Sequence, residues 1–329
     1  MASTRATHGA DETTSGLARL GTTLNPLLRK GILGATTNRI VMRGVQRHGM
    51  RLGAARFVAG ETLEAAVPVL RSLNDQGFRT NTTILGEGTG DEERARTVVV
   101  AYQDVLDRIA AEGLTTNVAL KLTHLGLDLG EDVAYANVAS LVEHAARHGN
   151  FIRIDMEESA RVDPTLRLYR RLREAGHDNV GTVLQSYLYR TEEDLERLLP
   201  LSPNLRLVKG AYLEPASVAF PAKADVDAAY LRLVERSLTG GGFTAIATHD
   251  DRMIERVIAV ADHHDVSRDR FEFQMLHGIR TQLQAGLVRR GYRVLVATPF
   301  GPDWYPYLMR RLAERPANVL FFAGNLIRR

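Results

Sequence analysis

Four side chains near the end of the chain have the spacing of one helical face. They fall at positions i, i+3, i+4 and i+7 of a short predicted helix, and they are Tyr307, Arg310, Arg311 and Glu314. A phenol, two guanidinium groups and a carboxylate on one face could bind a small molecule that carries a carboxylate. Arginine suits that role because its planar fork holds a carboxylate through two parallel hydrogen bonds. A solvated face with an exposed Arg310–Glu314 pair is the alternative.

Polar residues also end six short apolar runs in the middle of the chain. A lone polar residue at a strand end usually anchors a loop, so the repetition across six runs is what indicates a site. Cations outnumber anions when these residues are taken with the last helix, and this excess favours an anionic ligand. The polar residues are Lys121, Asp155, Gln185, Arg206, Lys209, Thr248, His249 and Gln274.

The elements that must position these residues are eight β-prone runs that alternate with helical patterns. One helix start is predicted at Asp163-Pro164, with Asp163 as the N-cap and Pro164 in the first turn. Another is predicted at Thr191, which we also expect to be an N-cap. Eight strands alternating with helices indicate an α/β fold, a (β/α)₈ TIM-type barrel, with a doubly wound sheet as the alternative. The carboxyl ends of barrel strands line the site. The runs cover residues 81–85, 118–122, 151–155, 181–185, 205–209, 244–248, 271–275 and 294–297.

The chain divides by pattern into three parts. We expect residues 1–25 to be a flexible tail, residues 26–78 an N-terminal helical arm interrupted by glycines, and residues 79–329 the barrel. The arm carries arginines at i,i+4 steps that could touch an anionic membrane surface peripherally, although a solvated basic face is the alternative. These arginines are Arg39, Arg43, Arg47 and Arg51.

The composition excludes several classes of protein. The 329 residues include 42 Lys and Arg against 39 Asp and Glu, a net charge of +3 that gives no reason to expect nucleic-acid binding. The absence of cysteine excludes disulfides and thiolate catalysis. No apolar run is long enough to span a membrane, and the N-terminus lacks the core of a signal peptide, so we expect a cytoplasmic protein.

Two local motifs are interpreted as structural. The glycines at 86, 88 and 90 lack the spacing of a dinucleotide fingerprint, and the acidic residues that follow would repel a pyrophosphate. His144 and His148 have the i,i+4 spacing of a metal-binding pair, but the glutamate of a zincin motif is missing and the helix looks surface-lying. We therefore expect no metal.

Seven segments together resemble the proline dehydrogenase family. They are RFVAGE (56–61), KLTHLGL (121–127), IDME (154–157), VLQSYL (183–188), RLVKGAY (206–212), ATHD (247–250) and FEFQMLHG (271–278). The resemblance implies a distorted (β/α)₈ barrel with the last helix over its mouth, and FAD bound non-covalently. It also implies oxidation of L-proline to 1-pyrroline-5-carboxylate, with electrons passed to a membrane quinone. We expect a monofunctional bacterial enzyme.

The resemblance also implies roles for individual residues. Arg310 and Arg311 would bind the carboxylate of proline, and Tyr307 and Leu276 would contact its ring. Lys121 would belong to the substrate site, with Asp155 and Glu314 as ion-pair partners. Arg206 would lie beside flavin N5, where a cation stabilises the reduced ring. The catalytic residues would be Asp155 and Arg206, and FAD would contact Met156, Gln185, Arg206, Lys209, Gly210, Ala211, Thr248, His249 and Gln274.

One position departs from the family pattern. Ala297 stands where the family usually has a tyrosine, two residues before the proline that follows the eighth strand. The missing phenol would open space beside the substrate ring, so we expect tolerance of 4-hydroxyproline unless Tyr292 or Trp304 refills the space. Two other functions stay open: a Schiff-base lyase that uses Lys121 or Lys209 as its amine, and a barrel retained as a scaffold.

Overall fold

Eight parallel strands pair in chain order and close into a barrel, in which β8 also pairs with β1. The structure, a computed structural model, describes residues 53–86 and 88–314, without the side chains of Arg310 and residues 312–314. The strands are β1 Arg79–Thr82, β2 Thr116–Leu120, β3 Ile152–Ile154, β4 Val180–Gln185, β5 Asn204–Val208, β6 Phe243–Ala247, β7 Phe271–Leu276 and β8 Val294–Ala297.

Helices precede, separate and follow the strands. Those in the described part of the chain are α1 Leu63–Asp75, α2 Glu92–Ala111, α3 Glu131–Arg147, α4 Val162–Glu174, α5 Thr191–Leu198, α6 Lys223–Thr239, α7 Asp251–His263, α8 Thr281–Arg289 and α9 Trp304–Glu314. The closed sheet confirms the predicted barrel and contradicts the doubly wound alternative. Within residues 53–86 and 88–314, no helix is both long and apolar enough to cross a membrane.

The two faces of each strand have different partners because successive side chains point to opposite sides. In β6, the Thr244 hydroxyl lies 2.7 Å from that of Ser237 in α6, so Thr244 faces the helices. Ala245 therefore faces the barrel axis. Buried Phe271 and Phe273 in β7 alternate with buried Glu272 and Gln274. The helix-facing side of this strand is thus apolar, and its inward side is polar.

Small inward-facing residues make room for two arginines inside the barrel. Arg153 in β3 is in register with Ala119 of β2 and Gly181 of β4, and Arg206 in β5 is in register with Ala245 of β6. A Cβ atom on Gly181 would come within 2.5 Å of the Arg153 guanidinium. This close approach makes glycine necessary at that position.

Two helix starts differ from the sequence prediction. Helix α4 begins at Val162, so Asp163 lies inside its first turn rather than at the N-cap, whereas Pro164 lies in the first turn as predicted. Thr191 is the first residue of α5 and does not cap it. Its hydroxyl instead donates to the carbonyl of Gln185, at 2.6 Å. A tertiary contact with the end of β4 has replaced the local capping bond that the sequence predicted.

The chain forms two compact units, which are described separately: Ala59–Pro302, and Met1–Val58 with Asp303–Arg329. Helix α1 belongs to the first unit, where the Asn74 side chain accepts a hydrogen bond from the backbone of Thr115 at 2.9 Å. The predicted tail and the arginines of the arm lie outside the described residues. The predicted domain boundaries, and the position of the last helix over the barrel mouth, stay predictions.

Candidate active site at the carboxyl ends of the strands

Arg206 is the centre of the polar network inside the barrel. Its guanidinium donates to Asp155 at 2.6 Å and to Gln274 at 2.5 Å. A third, longer bond of 3.4 Å reaches the side-chain oxygen of Asn81. Three predicted site residues therefore meet at one charged group: Arg206 and Gln274 lie within β5 and β7, and Asp155 directly follows β3. The sequence did not predict Asn81 as part of this network.

Further side chains orient the acceptors around Arg206. The Gln274 amide donates to Glu272 at 2.6 Å, which leaves its oxygen for Arg206. The Asn81 amide donates to the side-chain oxygen of Asn117 at 2.5 Å, which turns the Asn81 oxygen in the same way. Sequence reasoning missed Glu272 and Asn117. The signal for Glu272 was the two-residue alternation of polar and apolar residues along β7.

A second cation, Arg153, lies deeper in the barrel and is 2% exposed. It donates to the carbonyl groups of Thr182 at 2.9 Å and Asn204 at 2.7 Å, and also to the Asn204 side chain. Burial, and then the nearby positive charge of Arg206, lowers the pKa of Arg153 to about 9. The charge of Glu272 partly opposes that shift. Sequence reasoning missed Arg153, because a cation within an apolar strand gives no sign of its partners.

Lys209, Gly210 and Ala211 follow β5. The Lys209 ammonium bonds Asp227 of α6 at 2.5 Å and lies 3.8 Å from Asp250. Burial raises the pKa of Asp227, but the bonds from Lys209 and a second lysine outweigh this effect and leave the pKa lowered. Gly210 has a φ of +120°, and a Cβ there would come within 2.5 Å of the Tyr187 ring. Only glycine fits this close approach.

A histidine links the ends of β6 and β7. The backbone N–H of Leu276 donates to Nε2 of His249 at 3.0 Å, so the neutral ring carries its proton on Nδ1. The neighbouring Thr248 hydroxyl accepts from the backbone of Asp250 at 3.2 Å. Leu276, predicted to contact substrate, is therefore beside His249, predicted to contact the cofactor.

Residues at or just after the ends of β2, β3 and β4 form a second cluster. The Gln185 amide donates to the carbonyl of Glu157 at 2.7 Å, next to buried Met156. The Glu157 carboxylate accepts from the backbone and hydroxyl of Thr123 at 3.1 and 2.7 Å. Burial raises the pKa of Glu157, while the Thr123 bonds and the charge of Lys121 act against that rise. The structure thus brings Lys121 close to a carboxylate that the sequence did not predict as a partner.

Ala297 ends β8, in register with Asn81 of β1 and Leu276 of β7. Tyr292 precedes that strand, and its ring lies 5.6 Å from the ring of Phe273. The strand separates Tyr292 from Ala297, because each residue of a strand advances about 3.3 Å. The alternative in which Tyr292 refills the space beside Ala297 is therefore wrong.

The last helix is confirmed as α9, which includes Tyr307, Arg310, Arg311 and Glu314. Within this helix, the Arg311 guanidinium lies 5.3 Å from the centre of the Tyr307 ring. The side chains of Arg310 and Glu314 are not among those described. Their predicted contact with substrate, and that of Tyr307 and Arg311, stays a prediction.

The strand ends could stabilise negative charge on a bound group. Arg206 is 12% exposed, so its charge is shielded from water and held by side chains from three other strands. A preorganised cation of this kind interacts strongly with charge that develops next to it. The site is therefore suited to an anionic or electron-rich ligand.

Comparisons with known proteins agree with one another. The family model described as proline dehydrogenase matches residues 66–323. Proline dehydrogenase 2 of Bacillus subtilis subsp. natto is 44% identical over 273 residues, which are 83% of this chain and 90% of the relative. Proline dehydrogenase of Deinococcus radiodurans is 41% identical over 309 residues, which are 93% of this chain and 99% of the relative.

A similar fold occurs in a larger protein of known structure. Proline utilization A from Bdellovibrio bacteriovorus superposes with a TM-score of 0.76 at 24% identity, over 82% of this chain and 33% of that one. The chain thus spans about a third of that protein, and the likeness concerns the fold alone.

Proposed function

The chain belongs to the proline dehydrogenase family, and we propose that it oxidises L-proline to 1-pyrroline-5-carboxylate with non-covalent FAD as its cofactor. We propose a membrane quinone as the electron acceptor. The observation that carries the proposal within the structure is the partly buried Arg206 guanidinium inside the barrel, bonded to Asp155 and Gln274.

The residues at the ends of β4 to β7 fit a flavin dinucleotide. Lys209 offers a positive charge suited to a pyrophosphate, and Gly210 keeps the backbone free of a Cβ atom where the chain turns. Arg206 suits the electron-rich edge of the ring. Bound FAD supplies the two-electron acceptor. The other residues that would contact it are Met156, Gln185, Ala211, Thr248, His249 and Gln274.

The chain's own residues would bind and orient the substrate. Proline has a carboxylate at one end and an apolar ring, so binding needs cationic donors and an apolar wall. We assign the carboxylate to Arg310 and Arg311, which share a face of α9, and the ring to Tyr307 and Leu276. Lys121 would add positive charge to the substrate site, and Glu314 would pair with one of these cations. Fixing both ends of proline reduces the entropy lost at the transition state.

Asp155 and Arg206 are the proposed catalytic residues. The hydrogen bonds from Arg206 to Asp155 and to Gln274 together hold the guanidinium in one orientation. A fixed cation stabilises developing negative charge without reorganising during the reaction. Asp155 would therefore act by holding Arg206 in place.

An absorbance spectrum tests the proposed function directly. The purified protein is expected to be yellow, or to become so with added FAD, and its flavin bands should bleach when L-proline is added without oxygen. A colourless protein that rejects FAD and leaves a dye acceptor unreduced with proline would contradict the proposal.

The Arg311→Met variant tests the substrate assignment. Removing one guanidinium leaves the carboxylate underpaired, which costs about 2–5 kcal/mol in truncated charge pairs. KM for proline should therefore rise far more than FAD retention falls, measured by steady-state kinetics and by flavin content per protein. Equal losses of both would remove Arg311 from the substrate site.

Ala297 supports a wider substrate range as a second proposal. Its register neighbours are Asn81 and Leu276, the latter a proposed contact of the substrate ring. An Ala297→Tyr variant should lower kcat/KM for trans-4-hydroxyproline more than for proline, because the phenol would occupy the space that the hydroxyl needs. An unchanged ratio of the two values would end the idea.

The Schiff-base alternative has a structural obstacle at Lys209. A carbonyl substrate would have to displace its bond to Asp227. Borohydride trapping with a carbonyl substrate should consequently leave Lys209 unlabelled.

Peripheral membrane contact through the N-terminal arm remains a proposal, and it concerns residues outside those described.

A further inference from the structure

Two outer helices of the barrel bring three potential metal ligands together. Asp107 lies in α2, His144 lies in α3, and His148 directly follows the last residue of α3. The Nε2 atoms of His144 and His148 lie 2.6 and 2.7 Å from the same carboxylate oxygen of Asp107. The ligand atoms of the three residues all lie within 4.8 Å of one another.

The third residue changes the interpretation of the histidine pair. The sequence offered no third ligand, because Asp107 is 37 residues away from His144 and belongs to another helix. Packing of α2 against α3 supplies it. Two imidazole nitrogens and a carboxylate oxygen are ligands that zinc, nickel and copper accept, whereas magnesium and calcium prefer oxygen alone.

The geometry needs little change to admit an ion. Zinc bonds to histidine nitrogen and carboxylate oxygen are about 2.0–2.2 Å long, so tetrahedral ligand atoms lie roughly 3.3 Å apart. The carboxylate would therefore retreat by less than about 1 Å. The Asp107 side chain is 53% exposed, whereas that of His144 is 15% exposed, so the carboxylate has more room to shift than the imidazole.

We propose that Asp107, His144 and His148 bind one divalent cation of the zinc, nickel and copper class, with water in its remaining positions. The ion would link α2 to α3. The carboxyl ends of both helices precede β2 and β3, so the site lies at the amino-terminal end of the barrel. That end serves stability rather than catalysis. The ion is therefore a structural clamp and leaves proline oxidation unchanged.

Calorimetric titration of the full chain tests the proposal. The protein is freed of any affinity tag and stripped with chelator, and Zn²⁺, Ni²⁺ or Cu²⁺ is added. We expect one equivalent to bind and the thermal midpoint to rise, with no such effect of Mg²⁺. His144→Ala and His148→Ala should each weaken binding at least about tenfold. Bound Cu²⁺ should show hyperfine coupling to two nitrogens.

Two further variants keep the test decisive. Asp107→Asn keeps an acceptor for the histidines and so preserves helix packing, but it removes the anionic ligand and should also weaken binding. His264→Ala is the matched control, because His264 bonds a single carboxylate, Glu235, at 3.0 Å. Its metal affinity should equal that of the parent. Dissociation constants above about 1 mM for all three ions would overturn the proposal. Equal binding by parent and His144→Ala would also overturn it.

Discussion

Arginine–carboxylate pairs occur in two regions of this protein, and their surroundings differ. Inside the barrel, Arg206 and Asp155 have side chains that are 12% and 27% exposed. On the outer helices, Arg290 and Glu255 pair at 2.5 Å with side chains that are 43% and 56% exposed. Water screens the charges of the outer pair strongly and those of the inner pair much less.

The difference teaches what each pair contributes. A buried pair gains little net stability, because desolvating two charges offsets their attraction, yet removing one partner is costly. The inner pairs therefore hold groups in one orientation. Exposed pairs are worth about 0–1 kcal/mol and position nothing. The same chemistry serves the site in one region and the surface in the other.

The largest expected effect is that of Arg153→Met. This change removes the buried guanidinium that donates to the carbonyl groups of Thr182 and Asn204, and it removes a positive charge near Glu272. We expect the free energy of unfolding to fall by about 3–5 kcal/mol, as measured by urea denaturation. Arg290→Met is the control and should cost far less. Similar losses in both variants would erase the difference between the two regions.

Asp155→Asn should affect catalysis more than folding. The amide still accepts a hydrogen bond from Arg206, but the ionic partner is gone. By comparison with truncated charge pairs, we expect the activation free energy to rise by about 2–5 kcal/mol. Steady-state kinetics with a dye acceptor measures this change, and flavin content per protein serves as the control. An unchanged kcat would show that Arg206 does not depend on Asp155.

The smallest effect is expected from the matched change on the surface, Glu255→Gln. Stability at neutral pH should change by less than about 1 kcal/mol. The hydrogen bond from Arg290 lowers the pKa of Glu255, so the pair stabilises the fold above the unfolded pKa and loses that effect as the pH falls through the folded value. Parent and variant should therefore converge in urea denaturation as the pH falls well below the ordinary pKa of glutamate, about 4.3. A constant difference down to pH 3 would contradict this account.

Much of the barrel could be predicted from local pattern. The eight strands were found because β-prone runs alternate with helices, and only their ends moved: β1 starts at Arg79 rather than at residue 81. Several site residues were found because polar groups end those runs. Arg153 was missed because its partners lie on other strands, 29 and 51 residues away. Glu272 and Asp227 were missed although each has a partner nearby in the sequence, Gln274 and Lys223, because neither residue follows a β-prone run.

The sequence by itself determined which residues share a strand face or a helix face, since a two-residue or 3.6-residue period depends on the local backbone alone. Only the tertiary structure decided which polar groups meet. Arg206 bonds Gln274, 68 residues away, because closure of the sheet brings inward-facing side chains of several strands together near the barrel axis. Asp107 joins His144 and His148 because two helices pack side by side. Such distant partners depend on how the elements pack, and no local period records that packing.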